Sequence, residues 1–149
     1  MNPSLRVIAI ISIVIAAIIS VFLIVPTLQM ALTGGRIGIE ARAGYIEDLG
    51  VTAVNLDIYD PDFPMPSPET HIYVKVVVTT DRGSVTVVWD HNSTASIEGN
   101  IDDVHAELIN NGEYVTAAIS LPGTYNRVSV TATVRCDSGY TGSFRGRLI

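Results

Sequence analysis

The sequence predicts a mainly β protein: an N-terminal hydrophobic α-helix over residues 1–34, followed by an immunoglobulin-like antiparallel β-sandwich over residues 35–149. Three observations predict it. An uncharged apolar run fills residues 7–25, the hydrophobic period changes from helical to two after Gly35, and turn residues then recur at regular intervals to the end of the chain. At 149 residues there is room for one ordinary domain plus a short extra element.

The first element reads VIAIISIVIAAIISVFLIV, with Ser12 and Ser20 as its only polar members. At 1.5 Å per residue a helix of that length covers about 28 Å, close to a hydrocarbon core of about 30 Å. It is hydrophobic on every face, which an amphipathic surface helix is not. Ser4 after Pro3 offers an N-cap, Pro26 closes the apolar run, and the Gly34-Gly35 pair offers a stop. The apolar stretch is longer than the core of a secretory leader, and no clean small-x-small cleavage site follows it. Arg6 precedes the run and no basic residue follows until Arg36, which places the N-terminus inside and the domain outside. Leu28, Met30 and Leu32 continue beyond Pro26 in a mixed segment able to pack on a neighbour.

From Ile37 the strands follow in turn. Ile37, Ile39, Ala41 and Ala43 alternate with Gly38, Glu40 and Arg42, and Thr52, Val54, Leu56 and Ile58 share a face opposite Asn55, Asp57 and Tyr59. Ile72–Thr80 is almost continuously β-branched, the composition of a central strand buried on both sides. Asp81-Arg82-Gly83 turns the chain into a strand with Val85, Val87 and Trp89 on one face. Val104, Ala106 and Leu108 lead into an Asn110-Asn111-Gly112 hairpin, then Val115, Ala117, Ile119 and Leu121. Pro122-Gly123 turns into Val128–Cys136, and a last strand holds Phe144 and Leu148. Four prolines in residues 61–68 mark an extended loop.

A net charge of −6 argues against nucleic acid as a ligand, because phosphate binding needs a concentrated positive surface. Residues 37–113 carry 14 acidic and three basic groups, whereas residues 114–149 carry four arginines against Asp137. An acidic body with a basic end is suited to head-to-tail contact between copies. Chemistry is sparse. His71, His91 and His105 match no metal-ligand spacing, and Cys136, in phase with Val130, Ala132 and Val134, reads as a small buried apolar residue. Asp57, Asp60 and Asp62 crowd before the proline loop, and Asp102 with Asp103 forms a second cluster; oxygen-rich loops of this kind can hold calcium, although no EF-hand pattern is present. No nucleophile, base and orienting group assemble, so neither an enzyme nor a bound cofactor is expected. Asn92-Ser93-Thr94 is a glycosylation sequon in a turn.

A hydrophobic N-terminal helix followed directly by one strand-rich domain resembles the archaeal type IV pilin-like proteins, a group of pilins, archaellins and archaellum accessory proteins. The resemblance covers the whole chain as an architecture. It implies that apolar helices bundle into a filament core while β-domains form the shell. On that resemblance Val7, Ile10, Ile11, Val14, Ile18, Val21, Phe22 and Val25 carry membrane insertion and then assembly. The implied partners are further copies of the chain, the membrane and a cell-surface protein, with the domain displayed at the cell surface. Ser4-Leu5-Arg6-Val7 departs from the basic-plus-small processing site of the family, which favours an unprocessed anchor or a different filament class. The alternative expectation is a single-pass anchored adapter or accessory subunit of a surface complex.

Overall fold

A computed structural model describes residues 34–149. Ten strands run in the order β1 (Gly34–Gly35), β2 (Gly38–Ile46), β3 (Val51–Tyr59), β4 (Ile72–Thr80), β5 (Gly83–Asp90), β6 (Ser96–Gly99), β7 (His105–Asn110), β8 (Val115–Pro122), β9 (Val128–Cys136) and β10 (Thr141–Arg147). They form two antiparallel sheets, one ordered β1-β10-β9-β4-β5-β6 and the other β2-β3-β8-β7. Apart from the short β1, this is the strand order of variable-type immunoglobulin sheets. Tyr125, in the connection between β8 and β9, donates its hydroxyl to the Pro122 carbonyl at 2.6 Å, the corner expected where that connection crosses between sheets.

The predicted class needs a correction. The described residues contain strands and a short 3-10 turn at Pro68–Thr70 but no α-helix, so they are all-β, not helix plus sandwich. The predicted helix, with Val7, Ile10, Ile11, Val14, Ile18, Val21, Phe22 and Val25, lies outside the described residues. Its last position is the exception, because Gly34 and Gly35 form β1 opposite Ser143 and Gly142 instead of ending a helix. Glycine permits either outcome; here the backbone's ladder partners in β10 decide it.

The core lies between the sheets. Alternate residues of β2, β3 and β8 face those of β4, β5, β9 and β10, and Trp89 and Phe144 are its largest fully buried side chains. Strand β4 holds the centre of its sheet but alternates in burial: Val74, Val76 and Val78 point inward while Lys75 and Thr79 are exposed. The strands buried on both faces are β3 and β8. The β-branched run therefore reports β propensity, not two-sided burial.

Two poles follow from the register. One carries the β2–β3, β4–β5 and β8–β9 turns; the other carries the proline loop, the end of β5 and the β9–β10 turn. Strand β1 passes from opposite Ser143 to opposite Gly142, so the chain runs toward the proline-loop pole as it enters the sandwich.

Candidate functional site

The densest chemistry gathers at the proline-loop pole. Antiparallel pairing of β4 with β5 puts the residue before one strand beside the residue after the other, and β9 ends alongside them. His71, His91 and Asp137 thereby meet. His91 Nε2 lies 2.7 Å from Asp137 Oδ1 and its Nδ1 lies 2.7 Å from Asp90 Oδ1, while His71 Nδ1 lies 3.5 Å from Asp137 Oδ2. Hydrogen bonds to Asp90 and Asp137 raise the His91 pKa above 6.5. The same bond from His91, with a smaller effect of His71, lowers that of Asp137. His91 holds a left-handed backbone at φ 55, fixed by its amide bond to the Ile72 carbonyl.

Beneath this cluster Cys136 is buried and donates its thiol to Asp60 Oδ2. Burial, and then the Asp60 carboxylate, push the thiol pKa far up, so the sulfur stays protonated at neutral pH and is poorly suited to nucleophilic attack or metal ligation. Two shallow cavities of about 330 and 340 Å³ flank it, one lined by Met65 and His71, the other by Tyr73 and Arg135. The Arg135 guanidinium sits 4.4 Å from the Tyr73 ring centre. Among the described residues no group of three or more His, Cys, Asp or Glu is arranged to hold a metal ion.

The acidic cluster expected at residues 57–62 is dispersed. Asp60 turns inward to Cys136 and caps the Asp62 amide at 2.7 Å, and Asp62 is exposed. Asp57 lies on the outer face of the four-stranded sheet, where it accepts the Thr116 hydroxyl at 2.8 Å and stands 3.6 Å from the Arg42 guanidinium. Glu40 bonds the other side of that guanidinium. Burial outweighs these partners and raises the Asp57 pKa. Tyr59 and Tyr114 stack at 5.0 Å over one end of this face; burial and the Asp57 charge push Tyr59 up to about 12. Asp102 and Asp103 are exposed, as is His105.

Asn92 is exposed in the loop between β5 and β6, and its side-chain oxygen accepts the Thr94 amide at 3.0 Å. The sequence reading missed the meeting of His71, His91 and Asp137. The signal available was that both histidines flank strands joined by a tight hairpin, so residues just outside the two strands become neighbours. It placed Asp57 on a strand face with Asn55 and Tyr59 but also grouped it with the acidic residues before the proline loop, and only the strand placement holds. No family model matches the chain, and no curated protein or solved structure is similar to it.

Proposed function

We propose that the chain is a structural subunit of an extracellular pilus-like filament, with Val7–Val25 as membrane span before assembly and filament core after it, and the sandwich as displayed surface. The observation that carries this reading is the short junction. In the sequence only residues 26–33 separate the apolar run from β1, too few for a long stalk. Among the described residues no helix is long and apolar enough to cross a membrane. Two features support a structural role: the buried Cys136 thiol is held protonated, and both ring nitrogens of His91 are engaged by carboxylates.

The test is electron microscopy of material sheared from the native cell surface, with mass spectrometry for this chain. Recovery in regular filaments is expected. Ile13→Lys should then abolish filaments, because a charge in the core of a helix bundle has no partner. Retention in detergent-solubilised membranes with no filament containing the chain refutes the polymer and leaves the anchored adapter.

A further inference from the structure

Charge is distributed unevenly over the sandwich. On β4, β9 and β10 the residues that point out of the six-stranded sheet include Lys75, Arg135, Arg145 and Arg147, all exposed, and no carboxylate. The register gathers them into one patch. Lys75 stands opposite Thr133 and Thr133 opposite Ser143, while Arg135 stands opposite Thr141, with Arg145 and Arg147 further along the same face of β10. Strands about 4.8 Å apart and a rise of about 3.4 Å per residue make the patch about 10 Å by 20 Å. Exposed hydroxyls of Thr131, Thr133, Thr141 and Ser143 lie between the cations. Arg135 rests on the Tyr73 ring and Arg147 bonds the Ile149 carbonyl oxygen; among the described residues none of the four cations is in an ion pair. The outward carboxylates of this sheet, Asp90 and Glu98, fall beyond β4, on β5 and β6, and Asp90 is taken by His91.

The rest of the described chain is the converse, with Arg36, Arg42, Arg82 and Arg127 against all 15 acidic residues. Its exposed carboxylates gather at the pole of the β2–β3 turn. Glu47 and Asp48 lie in that turn and Asp102 and Asp103 in the β6–β7 loop, all four exposed and none in an ion pair. Backbone bonds fix both segments there. The Asn100 amide bonds the Ser84 carbonyl at 3.1 Å and Asn100 Oδ1 accepts the Ser84 amide at 2.8 Å, which holds the β6–β7 loop beside the β4–β5 turn. The Gly123 amide bonds the Gly50 carbonyl at 2.8 Å, which ties the β2–β3 turn to the β8–β9 connection.

We infer that the basic face of β4, β9 and β10 receives the carboxylate pole of a second copy of this chain. Both halves of the contact stand on one molecule, and the hydroxyls between the cations donate to carboxylates seated among them. A net charge of −6 makes copies repel in other orientations, so the complementary one is selected. Face and pole are different surfaces, so each engaged copy keeps one of them open and the contact propagates from copy to copy. A patch of this size holds weakly by itself and counts where copies are already close. The inference deepens the proposed function by naming a contact between displayed domains, and it rests on that reading only for the closeness of the copies.

Lys75 is the only lysine of the chain, so carbodiimide coupling of amines to carboxylates reports directly on the face. Full chains carrying ordinary or heavy nitrogen are mixed in detergent micelles, coupled and digested. The expected product joins Lys75 of one isotope class to Glu47, Asp48, Asp102 or Asp103 of the other. Arg145→Glu, with sheet content checked by circular dichroism, should lower its yield at least about tenfold, and 1 M salt, which shortens the screening length to about 3 Å, should do the same. Products of one isotope class alone, mixed products on other carboxylates, or a yield that Arg145→Glu leaves unchanged each overturn the contact. Retention of the chain on immobilised polygalacturonate with no mixed product also overturns it, because an acidic polymer then takes the face. Filaments that form without the Lys75 link refute this contact and leave the filament reading standing; the link in membranes that yield no filament does the reverse.

Discussion

Trp89 offers the sharpest test of how the core is held together. Its ring is fully buried between the sheets and its indole nitrogen has no hydrogen-bond partner. Two substitutions separate those facts. Trp89→Ala removes the ring and leaves a cavity, a change that costs about 3–5 kcal/mol. Trp89→Phe keeps most of the apolar surface: an indole buries roughly 40 Å² more than a phenyl ring, about 1 kcal/mol at about 25 cal/mol per Å². Against that loss stands relief of a buried, unpaired donor, which is worth about 1–3 kcal/mol. The two nearly cancel. The phenylalanine variant should therefore unfold within about 1 kcal/mol of the parent while the alanine variant loses several times more. The assay is urea unfolding of the full chain in micelles, followed by far-ultraviolet circular dichroism because the fluorophore is the residue removed. A phenylalanine variant as unstable as the alanine variant refutes the reasoning and means the indole N–H is satisfied in the folded state, for example by a buried water.

Other outcomes follow from the charged groups and the tight turns. Asp57→Ala should cost about 3–5 kcal/mol, because it strips a carboxylate from a buried guanidinium; a loss under about 1 kcal/mol in urea unfolding argues that the remaining partners of Arg42, Glu40 among them, suffice. Because burial holds the Asp57 pKa above 3.8, the folded state binds its proton more readily, so this group adds stability as the pH falls from above its folded pKa toward 3.8. Asp57→Asn should lose that gain, read as a flatter dependence of the urea midpoint on pH. The sign is the same at His91, in a higher pH window: its raised pKa makes its contribution complete below 6.5 and lost as the pH rises through the folded value. Asp137→Asn should return the His91 ring titration toward 6.5 by nuclear magnetic resonance, and an unmoved titration shows that Asp90 alone sets it. Gly99→Ala should destabilise by about 1–3 kcal/mol, since Gly99 has φ 149 and an added Cβ would lie 2.3 Å from the Ser84 carbonyl oxygen; an unchanged melting temperature excludes that geometry.

Much of the strand pattern was legible because alternation is local. Val128–Cys136 and the faces of β3, β5 and β8 stand where period two puts them. What escaped is what alternation cannot encode. Strand β1 is two glycines and β6 has one apolar residue in four, so neither carries a hydrophobic signal; the neighbours β10 and β5 impose them through backbone bonds. Asn55, Asp57 and Thr116 read as an outward polar row, and they are outward, yet buried, because burial depends on what covers a face and not on which way the residue points. The meeting of His71 and His91 was legible from the β4–β5 hairpin, but Asp137 joins them only through the pairing of β9 with β4, a long-range fact that no spacing along the chain contains.

The pairing of β1 with β10 carries a consequence for synthesis. Gly34 is the first described residue of the sandwich, and its ladder partner Ser143 lies in the last strand. During translation the entering strand waits without a mate until almost the whole domain has been made, while the hydrophobic segment ahead of it has already left the ribosome. The edge beside β2 stays open throughout that interval. A chain stalled or truncated before β10 would present both an unclosed sheet margin and an uncovered Ile37, the kind of surface on which nascent chains stick to one another. Completion of the last strand is thus the step that closes the product, and a C-terminal lesion such as loss of Phe144 should show itself as aggregation during expression before it shows itself as altered assembly.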